Sequence, residues 1–466
     1  MNKAHLKKLL AGKIHYEKKE NLQAAQKLST KKSSKIEEKL AQLGCDIDHT
    51  AKLLGFTKRA CRKITAKRLL VSFFMTVITK EGSYLSWAIQ LSGLIGKTVS
   101  KQAIWKRIDS SLSRVLQSVL QSGITRLLCD SSPLDCLKTA LFESFPNVWL
   151  QDSTCLQLAD SLSQWFPGNS SKGKIKAVAK IQAVLELKSH RFGRIELTSF
   201  SANDQSASGD VFTYARKGDL VIRDLGYSVL RVFEQCVEKG IYFLSKLSAG
   251  VHIYHPEQGQ QLNLYKLVKR KQCLDIQVLA GKKQQVPVRL VAIKLPGKVA
   301  AERRRKAKMN KDKRMNPSKE YLAVMGWMVF ISNVPPQVWS ASELAGAYRF
   351  RWRIENIFKC WKSAFNMQQF LYGHQSKTRV ETIIYALLIF ATLFHLILYD
   401  YWLRAIYKAK GFCISLMKFT KFLTEKLIHF VHHQNEQLWL EQIAYFCKYD
   451  KRNDRSNYLS MLYALS

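Results

Sequence analysis

The chain has 466 residues, 47% of them hydrophobic and 11% aromatic, enough for roughly three domains with sizeable cores. Its 74 lysines and arginines against 35 aspartates and glutamates leave a formal charge of +39, which implies a polyanionic partner. An anionic membrane surface would also attract it, but charge spread along the whole chain favours a nucleic-acid track. Ten cysteines without a C-x-x-C pair or Cys/His spacing exclude a disulfide framework and a thiolate metal site, and read as reduced thiols of a cytosolic protein.

Taken in chain order, residues 1–40 form a Lys-rich arm that is basic but lacks the apolar core of a signal peptide. Residues 41–140 carry helical periodicity, so 1–140 reads as a helical, basic DNA-binding region. Two stretches in it resemble helix-turn-helix units. HTAKLLGFTKRACRKI places Ala51 and Gly55 as in a tight helix pair. In TVSKQAIWKRIDSSL, Ser100 caps a helix that presents Lys101, Gln102, Lys106 and Arg107. From 145 the texture turns to strands: NVWLQDSTCLQL, a hairpin turning at Arg191–Gly193, and GDLVIRDLGY. Asp152 follows the apolar strand Val148–Leu150, and Asp224 closes the strand Leu220–Ile222. A carboxylate at a strand end is a common place for chemistry in α/β folds, although either aspartate could equally cap a turn. Asp210 and Asp219 fit turn or cap roles better.

After the helix SVLRVFEQCVEKG, residues 236–340 read as a β-rich segment with antiparallel spacing. It contains AERRRKAKMNKDKRMNPSKE, either a solvated excursion or a contact to a phosphate backbone. Residues 366–466 are helical, aromatic and basic. Ile383–Tyr399 is nearly all apolar, but at 17 residues it is short for a span. It reads as a buried helix of a C-terminal bundle, with no membrane partner.

The stretch YRFRWRIENIFKCWK, residues 348–362, lies between the strands and that bundle. Wound at about 100° per residue, it brings Tyr348, Arg351, Glu355 and Lys362 within about 60° of one another. A single carboxylate among cations and a phenol suits a ligand that is both anionic and metal-bound. An exposed helix with incidental i,i+4 pairs is the plain alternative.

The spacing Tyr348, two residues, Arg351, three residues, Glu355, six residues, Lys362 resembles the tyrosine–arginine–glutamate–lysine signature of insertion-sequence DDE transposases of the insertion sequence four type. Asp152 in LQDST and Asp224 in VIRDLGY resemble that family's first and second catalytic aspartates. The resemblance covers roughly 45–375. It implies an α/β fold: an RNase H-like catalytic core (141–235 and 341–375) interrupted by a β-rich insertion (236–340), with helical terminal regions 1–140 and 376–466. It also implies Asp152, Asp224 and Glu355 as catalytic metal ligands for Mg²⁺ or Mn²⁺, with Tyr348, Arg351 and Lys362 against DNA. Trp327 matches the tryptophan that receives a flipped base in some members, and Lys246 stands where such members carry a basic residue.

The implied activity is cut-and-paste transposition, with a hairpin intermediate at the element's end in some members. Its partners would be double-stranded DNA, as terminal inverted repeats and target, and a second copy of the chain. The 376–466 helices offer the dimer surface, and the expected location is the cytoplasm, at the nucleoid. Two rivals stay open on sequence: an RNase H-like metal nuclease without strand transfer, and a domesticated, inactive DNA-binding protein.

Overall fold

The computed structural model describes residues 40–41, 43–58, 64–129, 140–171, 173–248, 250–309, 317–432 and 435–450. The basic arm, the second half of the first helix-turn-helix stretch, the middle of the 301–320 excursion and the last sixteen residues lie outside these. The chain divides into two compact units. Of the described residues, one comprises those within 40–129, 156–177 and 358–448, and the other those within 140–155, 178–357 and 449–450.

Among the described residues eleven strands occur in chain order: β1 (Val148–Gln157), β2 (Pro167–Ser171), β3 (Lys174–Glu186), β4 (Arg191–Ser199), β5 (Leu220–Arg223), β6 (Tyr242–Lys246), β7 (Ile253–Tyr254), β8 (Gln261–Leu262), β9 (Cys273–Ala280), β10 (Val286–Lys294) and β11 (Trp327–Ser332). Ten of them, all but β2, run β4–β3–β1–β5–β6–β11–β10–β9–β7–β8, and β2 pairs with the start of β3. β5 is parallel to both β1 and β6, and from β6 to β8 every pairing is antiparallel. All four residues of β5 are buried, as a parallel strand covered on both faces requires. The helix Leu230–Glu238 that joins β5 to β6 buries Val232, Phe233 and Cys236, and the Phe233 ring stacks on Phe243 at 4.4 Å. The strands expected as a separate insertion are thus hydrogen-bonded into the same sheet.

Two sequence expectations need correction. The β3–β4 turn falls at Leu187–His190, not at Arg191–Gly193. His190 adopts φ 62°, and Gly193 lies in β4 beside a bulge, where a Cβ would come 2.7 Å from the Trp149 ring. The 348–362 stretch is not one α-helix either. It runs as α-helix to Tyr348, 3₁₀ at Arg349–Arg351, α-helix at Trp352–Lys359 and a π turn at Cys360–Ala364.

The first unit is mostly helical. Helix Ser110–Cys129 packs along Lys377–Leu393, and Phe74 of helix Ala66–Ile78 meets Phe390 edge-on at 5.4 Å. The described residues of 40–129 and 376–448, from regions read apart in the sequence, therefore share this unit. Lys377–Lys410 is long and apolar enough to cross a membrane, but 88% of its apolar window is buried inside the fold, as in a core helix. Helix Tyr84–Ile95 ends at a left-handed Gly96, and the Ser100 hydroxyl caps helix Lys101–Arg107 by accepting from Ala103 N. That short helix buries Ile104 and exposes Lys101, Gln102, Trp105 and Lys106, while Arg107 is half-buried.

Candidate active site

The β1–β5 register builds the site. Val148 pairs with Leu220, and so on to Gln151 with Arg223, so Asp152 and Asp224 stand side by side one residue beyond the last parallel pair. Asp152 does not end its strand, as expected, because β1 runs on to Gln157; what stops at Gln151 is the pairing with β5. Asp224 leaves β5 directly into the 3₁₀ turn Leu225–Tyr227. Asp219, by contrast, is a structural anchor. Buried, it accepts from Asn147 N, Trp149 Nε1 and Arg216 N and ties the starts of β1 and β5 together.

Glu355 lies in the first turn of helix Trp352–Lys359, one turn beyond Arg351. Arg351 reaches all three carboxylates. Its Nη1 is 3.1 Å from Asp152 Oδ2, its Nη2 2.5 Å from Glu355 Oε1, and its Nε a looser 3.6 Å from Asp224 Oδ1. The guanidinium is 7% exposed and Asp152 14%, whereas Asp224 is open at 39%. The cluster is therefore buried on the arginine side and accessible at Asp224.

Tyr348 sits above it. Its Oη donates to Asp224 Oδ1 at 3.4 Å, its ring lies 5.1 Å from Phe330, and the Lys246 ammonium stands 5.2 Å from the ring centre. Lys246 is opposite Phe330 in the β6–β11 register, which aims it at this face. By strand alternation Trp327, three residues before Phe330, is turned to the opposite face, and its carbonyl accepts from Arg303 Nη1 at 3.3 Å. Lys362 is exposed within the π turn Cys360–Ala364 and belongs to the other unit. Tyr348, Arg351, Glu355, Asp152, Asp224 and Lys246 are thus gathered in one place, and Trp327 and Lys362 are not part of that contact network.

The electrostatics follow from burial. Burial pushes the Asp152 carboxyl up to about 7; the Ser153 N–H and Arg351 oppose the rise, while Asp224 and Glu355 add to it. Burial also pushes the Tyr348 phenol above its ordinary range, so it stays a donor. For Arg351, burial works against the charge, and Tyr348 and the three carboxylates together outweigh it. Lys246 is lowered, first by burial and then by Arg351 and Arg303, with Asp224 opposing. All the acidic donors are carboxylate oxygens, a set suited to a hard divalent cation. Among the described residues no three His, Cys, Asp or Glu side chains close on one point, and here a guanidinium lies between the carboxylates.

Residues 143–391 match the transposase DDE domain, more than half of the chain, and the chain belongs to that family. The resemblance to insertion-sequence DDE transposases read from the sequence is thereby borne out, and the protein is an enzyme, a DNA transposase. Curated relatives include the transposase for insertion sequence element IS231D of Bacillus thuringiensis subsp. finitimus, 28% identical over 74% of this chain and 75% of that protein. Another is the transposase for insertion sequence element IS1151 of Clostridium perfringens, 26% identical over 70% and 72%. Among solved structures, a piggyBac transposase synaptic complex with hairpin DNA aligns with a TM-score of 0.41 at 10% identity, covering 94% of this chain and 87% of that one. Enzymes of the DDE family generally use divalent metal ions.

Sequence reasoning missed the polar frame behind the aspartates. Ser153, Lys180 and Gln182 all donate to Asp204 Oδ1, and no periodicity or motif marks them.

Proposed function

We propose that this chain excises its element and joins it to a target, acting on the terminal inverted repeats with Asp152, Asp224 and Glu355 as the ligands of two divalent cations, Mg²⁺ or Mn²⁺. One observation carries the reading: three carboxylates from β1, the end of β5 and a helix more than a hundred residues later meet on a single guanidinium. Such a concentration of half-buried negative charge serves no packing purpose, and an oxygen-only donor set suits these ions. Bound there, the cations would supply charge neutralisation and activation of an oxygen nucleophile for displacement at phosphorus.

The chain's own groups do the rest. Arg351 and Lys362 hold neighbouring phosphates by charge-assisted hydrogen bonds, Tyr348 adds a hydroxyl donor, and Lys246 brings a cation to the same face. Trp327 offers a ring for an extruded base. The order β4–β3–β1–β5–β6, with β1, β5 and β6 parallel and Glu355 on a later helix, supports an RNase H-like core over 141–235 and 341–375. On this reading 236–340 is an insertion that extends the core sheet, and 1–140 recognises the ends. The 376–466 helices pair two copies in a synaptic homodimer. The work takes place in the cytoplasm, on double-stranded DNA and not at a membrane.

Asp152→Ala, Asp224→Ala and Glu355→Ala should each abolish metal-dependent cleavage of inverted-repeat DNA while gel shifts stay close to wild type, because carboxylates contribute no attraction to phosphate. Near-normal cutting by any one of them removes that residue from the site. Cleavage without joining of a supplied target would instead indicate a nuclease.

A further inference from the structure

We infer that Asp204 is a positioning residue that holds the Asp152 strand against the Asp224 turn, and so sets the spacing of the two aspartates as metal ligands. The inference rests on the reading of those aspartates given above. Asp204 lies in the loop after β4 and touches both sides of the site. Its Oδ1 accepts from the Ser153 hydroxyl at 2.9 Å, from Lys180 Nζ at 3.2 Å and from Gln182 Nε2 at 3.1 Å. Ser153 is the residue whose N–H donates to Asp152 Oδ1 at 2.8 Å, so Asp204 orients the group that orients Asp152.

The other oxygen lies against Gly226, in the turn that follows the second aspartate. A Cβ added at Gly226, two residues past Asp224, would stand 2.9 Å from Asp204 Oδ2. The backbone of Gly226 is not left-handed, so what an added methyl would meet there is the Asp204 side chain, which it would push aside, and not a strained torsion. The turn is closed on itself by Tyr227 N donating to Asp224 O at 3.1 Å, and the Tyr227 hydroxyl donates to Gln182, which also bonds Asp204. Lys180 is only 5% exposed. A cation held that deep is a rigid foundation for its partner, since leaving either member unpaired is costly. Asp204 thus contacts the neighbour of one aspartate through one oxygen and the turn of the other through the second.

The test is Mn²⁺ binding to the full-length protein, followed by electron paramagnetic resonance, alongside DNA gel shifts and thermal melting. Loss of an outer-shell partner typically weakens metal binding about 10–100-fold, so Asp204→Ala should weaken Mn²⁺ binding at least about tenfold with DNA affinity unchanged. Asp204→Asn keeps an acceptor for Ser153 and should recover most of that loss. Gly226→Ala should weaken Mn²⁺ binding by displacing the carboxylate, and should add nothing in the Asp204→Ala background. Wild-type Mn²⁺ affinity in Asp204→Ala, or equal Gly226→Ala effects in both backgrounds, would overturn the proposal. If Asp204→Ala does not fold, Gly226→Ala decides alone, and unchanged affinity there refutes it. Asp152→Ala is the control: if it binds Mn²⁺ like wild type, the site assignment itself has failed and the proposal falls with it.

Discussion

Arg351 brings one positive charge to a place where three carboxylates need compensation. Removing one partner of a buried pair costs about 3–5 kcal/mol, because the other charge stays behind unpaired. Arg351→Ala should therefore lower the melting temperature in chelator, and added Mn²⁺ should restore more of it than it adds to wild type. A variant whose melting is indifferent to Mn²⁺ would mean the carboxylates do not take the ion. Arg351→Lys should recover little, since a compact ammonium lacks the planar, spread set of donors with which the guanidinium reaches carboxylates on different sides. The same variant separates phosphate clamping from metal holding. Arg351→Ala and Lys362→Ala keep all three proposed ligands, so first-strand nicking should persist while nicked DNA builds up ahead of later products. A lost charge-assisted contact is worth on the order of 1.5–3 kcal/mol, and steps that depend on positioning feel it most. Trp327→Ala should show the same bias if its ring stacks a base, a contact worth roughly 1–3 kcal/mol. Time courses on denaturing gels read the outcome, and uniform slowing of every step would assign these residues to general binding or folding.

The element that carries Tyr348 into the site is short and is held at its start by a capping box. Ser340 Oγ accepts from Glu343 N at 3.3 Å, and Glu343 Oε2 accepts from Ser340 N at 2.7 Å. Ser340→Ala should cost about 1 kcal/mol. The Ser340 hydroxyl, and then its N–H, holds the Glu343 carboxyl below its ordinary 4.5. A depressed folded value means the stabilisation is present above the ordinary value and is lost as pH falls through the folded one. The melting difference between wild type and Glu343→Gln should accordingly shrink below about pH 4.5, and a constant difference would show that the charge of the carboxylate contributes nothing to the box in solution. At this scale the sequence was legible where contacts are local. Tyr348, Arg351 and Glu355 follow one another at three and four residues, so a change from α to 3₁₀ geometry does not separate them. The β1–β5 register joins residues some seventy apart, and nothing in LQDST announces that Asp152 will stand beside Asp224. The β3–β4 turn was misplaced because Gly193 is a turn residue by habit, while here it makes room for Trp149. The π turn at Cys360–Ala364 adds a residue to its coil, and the reckoning that put Lys362 on the Tyr348 stripe cannot survive it.

Across the whole molecule, the arrangement of the first unit changes how end recognition has to be tested. Helices from both ends of the chain share its core. Ser110–Cys129 lies along Lys377–Leu393, Tyr84 Oη meets His374 Nδ1 at 3.4 Å, and the Arg379 guanidinium lies 3.9 Å from the Trp105 ring centre. Helix pairing of this kind leaves no mark in sequence, where both segments are simply apolar. Deleting residues 1–140 would strip Lys377–Leu393 of its cover and expose a nearly all-apolar helix, so the truncated protein should aggregate instead of reporting on specificity. Recognition is better probed on the exposed face of helix Lys101–Arg107, where Lys101, Gln102 and Lys106 project without supporting the core. Base-edge contacts specify and phosphate contacts only position, so a Lys101→Ala, Gln102→Ala, Lys106→Ala protein should lose its preference for inverted-repeat ends over random DNA. Sequence-indifferent binding should survive, because the remaining cations of a +39 chain still release counterions from the duplex. Each phosphate contact removed should flatten the salt slope by about 0.9. Competition binding at several salt concentrations measures both quantities together. If the triple variant still prefers its own ends, the reading helix lies elsewhere in the chain, and only the electrostatic share of binding belongs to this one.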